Sequence, residues 1–274
     1  MKKTFLLAFT AVAALLAASC QKEDLGRVLT ATIEQYEHSG NAKAYINNDN
    51  YACWEAGDKV KINGTTHTIS INDDAQTATI TNTQGLSGDL LAFYPASMVS
   101  NLSATGGTVS LPHLQTYETT TDANGTVRQK INNPMAAYCP ADSNKLKFRN
   151  LCALLKVTIQ GNTSQDVRAI QVRGIENQML CGKAQLTFDN NHQPALGLIK
   201  DGDNSVTLQI PAEATPASNT FYIVVPANTN FTQLTIAVLL KDGDTYITYC
   251  KTSLMNQSLP RNHIGALPTF LNGE

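Results

Sequence analysis

Lys59-Val60-Lys61-Ile62-Asn63-Gly64-Thr65-Thr66-His67-Thr68-Ile69-Ser70-Ile71 alternates, turns and alternates again. Val60 and Ile62 fall on one face of an extended segment, and Asn63-Gly64 is the residue pair that best tolerates the positive φ angles of a two-residue hairpin turn. His67, Ile69 and Ile71 then resume the period of two, which belongs to a strand with one buried face. Working outward, the same grammar recurs in short segments separated by turn residues. Upstream, Val28 to Glu37 alternates at Leu29, Ala31 and Ile33. Downstream come Ala78 to Ile80, Leu90 to Tyr94 before Pro95, and Val109 to Leu111 before Pro112. Leu151 to Ile159 ends in clean alternation at Leu155, Val157 and Ile159, as expected of a central strand covered on both faces near its start; a buried helix is the competing reading of so short an apolar run. Val167 to Arg173, Ala184 to Phe188, Val206 to Ile210, Thr220 to Val225, and the pair Leu234 to Lys241 and Thr245 to Lys251 around Asp242-Gly243-Asp244 complete the series. Many short strands with turns between them predict an all-β chain of sheets packed on sheets.

Composition agrees. Only 15% of the residues are charged, and Thr, Asn, Ser and Gly stand where exposed helices would carry Glu, Lys, Arg and Ala. Removing residues 1–19 as a signal leaves 255, comfortable for two domains of ordinary size. Residues 113–144 form a looser, polar region with few apolar clusters, so the expected division is an N-terminal β-sandwich over 28–144 and a C-terminal one over 145–274.

The N-terminus sets the compartment. Lys2 and Lys3 precede an apolar run from Phe5 to Ala18, and small residues lead into Cys20. That is the three-part pattern of an export signal, too short to span a membrane as an anchor. A cysteine placed as the first mature residue offers a thiol for diacylglycerol, so Cys20 is the expected lipid attachment site, with residues 20–27 as a tether. An ordinary secretory signal is the alternative. Gln21-Lys22-Glu23-Asp24 resembles the charged signal that follows the lipidated cysteine in surface-exposed lipoproteins of the Bacteroidetes. With Lys2 and Lys3 gone, 18 basic residues face 22 acidic ones, and no basic stripe suggests a nucleic-acid partner.

No catalytic or cofactor pattern stands out. The chain lacks a Gly-x-Gly-x-x-Gly loop, a phosphate-cradling loop ending in Lys-Ser or Lys-Thr, and a Gly-x-Ser-x-Gly elbow. No enzyme activity and no cofactor are therefore expected. His38, His67, His113, His192 and His263 stand singly, without ligand spacing. Asp201-Gly202-Asp203 and Asp242-Gly243-Asp244 lack the further spaced oxygens of a calcium loop and read as turns. Cys53, Cys139, Cys152, Cys181 and Cys250 are scattered and contain no Cys-x-x-Cys pair, so buried free thiols are expected, although export permits a disulfide that sequence cannot assign. Trp54, the sole tryptophan, fits either a sugar-stacking platform or core packing beside the Gly57-Asp58 turn, and core packing is the expected role.

A set of motifs remains: Cys20, then Trp54-Glu55-Ala56-Gly57-Asp58-Lys59-Val60, Ala92-Phe93-Tyr94-Pro95-Ala96-Ser97, Phe148-Arg149-Asn150 leading into Leu154-Leu155-Lys156-Val157, and Leu259-Pro260-Arg261-Asn262. In this order they resemble the fimbrillin-like lipoproteins of the Bacteroidales, the type V pilus proteins and their relatives, over nearly the whole mature chain. The resemblance implies two transthyretin-like β-sandwich domains. It also implies a fimbrial subunit, anchor or accessory adhesin at the outer membrane, joined to other fimbrial subunits by donor-strand exchange and binding a host or bacterial surface ligand. In that family a surface protease often cuts after an arginine, removing a first strand and opening a groove that the next subunit's strand fills.

Arg27 is the one arginine before Arg128, so it is the candidate processing site. Cutting there would release the lipid yet leave Val28 to Glu37 attached, and no groove would open. Cutting at Arg128 would break the first domain. An uncleaved anchor or accessory subunit is therefore the expected role, with residues Arg261 to Leu271 either a donor strand or the closing strand of the second domain. The alternative is a surface glycan-binding lipoprotein of a nutrient-uptake system, which would need an exposed aromatic platform.

Overall fold

A computed structural model describes residues 26–36, 52–121, 125–160, 166–175 and 178–267, which places Cys20 and His38 outside the described residues. The described chain is all-β. Ala96–Met98 is a short 3-10 turn, and no helix among the described residues is long and apolar enough to cross a membrane.

The first sheet runs in the order β3 (Thr65–Thr68), β2 (Lys59–Ile62), β6 (Leu90–Tyr94), β12 (Met135–Cys139), β13 (Lys145–Asn150), β1 (Leu29–Ile33), β5 (Thr77–Ile80) and β4 (Ser70–Ile71). The expected hairpin is β2 and β3, with Val60 opposite His67 and Ile62 opposite Thr65. Asn63 and Gly64 take φ values of 43° and 92°, which is why this pair and few others can close the turn.

β13 is the corner of this sheet. Lys145 to Phe148 lie parallel to β1, whereas Arg149 and Asn150 pair with β12. A strand that serves two partners in succession lets the sheet fold over a single core. Leu29, Ala31 and Ile33 of β1 meet Leu146 and Phe148, and on the opposite wall Val60, Ile62, Leu90, Ala92 and Tyr94.

The second core lies between two further sheets. β20 (Thr220–Pro226), β14 (Cys152–Thr158) and β23 (Ile264–Ala266) form one. β22 (Thr245–Leu259), β21 (Thr229–Asp242), β15 (Val167–Gly174), β19 (Ser205–Gln209) and β9 (Leu114–Thr116) form the other. Leu155 and Val157 of β14 and Phe221, Ile223 and Val225 of β20 pack on Val206, Leu208, Leu234 and Ile236. The period of two is thus the strand period, and Leu151 to Ile159 contains a strand rather than a helix.

A third core joins the halves. β7 (Val99–Ser103) pairs with β8 (Gly106–Leu111), and β8 pairs with β16 (Cys181–Phe188), which also carries β17 (Pro194–Leu196) and β18 (Lys200–Asp203). Leu91 and Phe93, on the outer side of β6, are buried against Val99, Val109 and Leu186. Every residue of β6 is therefore buried, the reason Leu90 to Tyr94 reads as an unbroken apolar run. β10 (Glu118–Thr121) and β11 (Val127–Lys130) make a separate ribbon.

Lys145–Asn150 is bound into the first sheet on both sides, β8 pairs with β16, and β9 pairs with β19. Residues 113–144 also hold a central strand, β12, whose Ala136 and Ala137 are buried. Alanines carry too little apolar area to announce a buried strand in sequence.

Candidate functional site

Both ends of β1 are tied down. Before it, the Arg27 guanidinium donates to the carbonyls of Ala141 (2.8 Å), Gly88 (3.1 Å) and Ser143 (3.3 Å). The Arg27 carbonyl accepts from the Thr83 hydroxyl. Gly26, at φ 64°, leaves no room for a side chain, since a Cβ there would stand 2.7 Å from Thr83 Oγ1.

Beyond β1, Glu34, Gln35 and Tyr36 enter a polar cluster built from the motifs that sequence singled out. Arg261 Nη1 lies 2.5 Å from Glu34 Oε2, and Arg149 approaches the other carboxylate oxygen at 3.5 Å. The Asn150 backbone N–H donates to Glu34 Oε2 (3.0 Å), and its side-chain amide donates to the Glu34 carbonyl (3.1 Å) and to Asn262 Oδ1 (2.6 Å). Asn262 in turn donates to the Gln35 carbonyl at 2.7 Å. Asn133 bridges Asn150 Oδ1 (2.9 Å) and the Tyr36 hydroxyl (2.7 Å). Burial holds the Tyr36 phenol well above the usual tyrosine range, so it stays neutral and available as a hydrogen-bond partner. Residues 34–36, 149–150 and 261–262, distant in sequence, thus form one connected network in a low-dielectric site, where each bond is strong and each loss costly.

The Trp54 motif forms the floor beside it. The indole is 2% exposed and meets Phe148 and Tyr94 edge-on, at ring separations of 5.2 and 5.3 Å. Core packing is its role. Asp58 closes the turn by accepting from the Glu55 N–H (3.0 Å) and from the Tyr94 hydroxyl (3.1 Å), while Lys130 contacts Glu55 at 2.6 Å and Asp58 at 3.5 Å. Trp54, Glu55 and Asn133 line a cavity of about 40 Å³, far below the ~300 Å³ at which small-molecule sites begin.

Burial raises the Asp58 carboxyl above its ordinary 3.8, against the opposing pull of the Glu55 N–H and Lys130. The folded state therefore holds a proton that the unfolded chain releases, and stability falls as pH climbs from about 3.8 through the raised value. In Asp58→Asn that decline should vanish, as read by urea unfolding between about pH 4 and pH 7. An unchanged slope would remove Asp58 as its source.

No protein-family model and no curated protein matches this sequence. Solved structures from Bacteroides are similar in part. A candidate cell adhesion protein of Bacteroides ovatus is 12% identical, with 85% of this chain and 88% of the other covered at a TM-score of 0.44. One from Bacteroides fragilis is also 12% identical at 0.44, over 90% of this chain and 95% of its own. A third, from Bacteroides thetaiotaomicron, is 10% identical at 0.41, over 88% and 92%.

Of the remaining sequence candidates, Cys152 borders the β1 cluster, its carbonyl accepting from the Asn262 N–H at 3.0 Å. No disulfide joins any of the five described cysteines; Cys139, Cys152 and Cys181 are buried, Cys53 is half-buried, and Cys250 is exposed. Burial pushes the Cys152 thiol up to about 12. His67 Nδ1 meets the Asn82 carbonyl at 2.8 Å, His113 the Ser205 hydroxyl at 3.3 Å, and His192 stacks on Tyr138 at 3.7 Å. Asp203 Oδ1 accepts from the Ser205 N–H (3.0 Å) and hydroxyl (3.1 Å), and Gly243-Asp244 is the turn between β21 and β22. Among the described residues no group of three or more His, Cys, Asp or Glu could hold a metal. Sequence reasoning named Arg149, Asn150, Arg261 and Asn262 only as parts of motifs; their convergence on Glu34 had no signal in sequence, because it depends on which strands pair.

Proposed function

We propose that this chain is a lipid-anchored cell-surface protein of fimbrillin-like character, acting as a fimbrial anchor or accessory subunit that keeps its own first strand. The observation that carries this reading is the placement of β1. It is a central strand, parallel to β13 on one side and antiparallel to β5 on the other, and it is fastened by Arg27 before it and by the Glu34 cluster after it. A subunit that retains β1 has no slot for a donor. It would be joined to the next subunit by giving a strand, and the candidate is the segment that follows the Arg261-Asn262 anchor. Within this chain its residues Ile264 to Ala266 pair parallel with β14 at a sheet edge, the position from which a strand is most easily lent. Cys20 would hold the protein at the outer membrane, facing a ligand on a host or bacterial surface. The glycan-binding alternative has no support from Trp54, which is buried.

The test is the mass and N-terminal sequence of the protein purified from its own outer membrane. A diacylglyceryl-modified Cys20 is expected, with the Arg27–Val28 bond intact. A free N-terminus at Val28 or beyond would overturn the reading and make the chain a processed subunit.

A further inference from the structure

The geometry points to self-association of two copies of this chain through the outer edge of β22, paired antiparallel about a two-fold axis at Cys250. The inference goes beyond the proposed function and does not depend on whether β1 is retained. β22 spans Thr245–Leu259, 15 residues, and among the described strands it pairs with β21 alone. Its other edge offers a row of backbone donors and acceptors to a further strand, and the usual guards against such pairing are sparse. Thr245–Leu259 contains no proline and one charged residue, Lys251.

The regular part of the edge is bounded. Pairing with β21 runs without a break from Thr245 to Leu254, and a bulge follows, since Phe231 and Gln233 pair with Gln257 and Leu254. Along this run the even-numbered residues Tyr246, Thr248, Cys250, Thr252 and Leu254 are all exposed. The odd-numbered residues 247, 249, 251 and 253 share the face of the buried Leu240, Val238, Ile236 and Leu234. Tyr246 and Leu254 are 62% and 77% exposed.

Self-complementarity selects the occupant and the register. Opposite residues in an antiparallel pair share a face, so two copies that keep their outer faces together must pair even with even, which puts the two-fold axis on a residue. An axis at Lys251 would oppose two like charges. An axis at Cys250 sets each Tyr246 against the partner copy's Leu254, Thr248 against Thr252, and Tyr249 against Lys251. The two most exposed apolar side chains of the strand then cover each other, and cross-strand aromatic–aliphatic pairs of this kind stabilise sheets. The two Cys250 side chains face one another across Cα atoms ~4.5–5.5 Å apart, within the range of a disulfide.

The experiment uses the full mature protein in detergent with Cys53→Ser, which removes the other accessible thiol among the described residues. Sedimentation velocity over a concentration series gives the dissociation constant. Diamide then reports the register, its N=N bond taking up the two electrons and two protons that a pair of Cys250 thiols releases as their S–S bond forms. A reversible dimer that becomes disulfide-linked is expected, with the link lost and the dimer kept in Cys250→Ser. Tyr246→Lys and Leu254→Lys each act twice in a two-fold dimer and should weaken it about tenfold or more, with an unchanged melting temperature. A monomer at all concentrations, a dimer indifferent to both lysines, or a dimer that diamide does not link would overturn the proposal.

Discussion

A chain that begins at Glu34, and so lacks β1 while keeping the carboxylate of the polar cluster, should lose the fold of its first half. Leu29 and Ala31 are fully buried and Ile33 nearly so, and β1 supplies pairing to both β13 and β5. Burial of the two large side chains at ~1.5–3 kcal/mol each, with the flanking hydrogen bonds, makes the loss on the order of 5 kcal/mol. That is comparable with the whole stability of many domains, about 5–15 kcal/mol. Trp54, the sole tryptophan, sits in the core that β1 covers, so its fluorescence reads the outcome directly. The expected result is a red-shifted emission from the truncated chain and a return to the native spectrum when a peptide spanning residues 26–33 is added. Restoration would grow with peptide concentration by mass action. A truncated chain that melts like the parent, with Trp54 still shielded, would mean that β1 is dispensable, and the proposed role of a retained first strand would fall with it.

Asn150→Ala should be the most damaging single substitution in the polar cluster. Asn150 is 1% exposed and its side chain alone meets Asn133, Asn262 and the Glu34 carbonyl. Alanine would leave those buried groups without their partner. Unsatisfied buried polar groups cost ~1–3 kcal/mol each, so a loss of about 3–5 kcal/mol is expected. For a chain of this size that lowers the melting temperature by about 10 °C. Because Asn150 ties the end of β1 to the Arg261-Asn262 turn before β23, both halves should be weakened together. A shift below about 2 °C would show that the cluster contributes little.

Much of the fold was legible because a strand with one dry face must alternate. Val60 and Ile62, Leu155 and Val157, Phe221 and Ile223, and the Asn63-Gly64 turn carried that period openly, and each lies in the element expected of it. The buried role of Trp54 was legible for a related reason: a large aromatic beside a tight turn and a strand has few places other than a core. The sequence by itself determined an all-β chain and its principal strands, and it raised the expectation of an export signal over residues 1–19 with Cys20 as the first mature residue.

Only the tertiary structure decided which strands meet. That β13 turns a corner between two partners, that β8 crosses to β16, and that Arg261 reaches Glu34 are long-range choices, fixed by three cores being filled at once. Local period is blind to them, because Lys145–Asn150 alternates in the same way whether it opens a second domain or closes the first. The edge of β22 that no described strand covers belongs to the same class. Alternation announced a strand from Thr245 onward, whereas its position at the border of a sheet, with Tyr246, Cys250 and Leu254 facing solvent, follows from the order in which five strands were laid side by side.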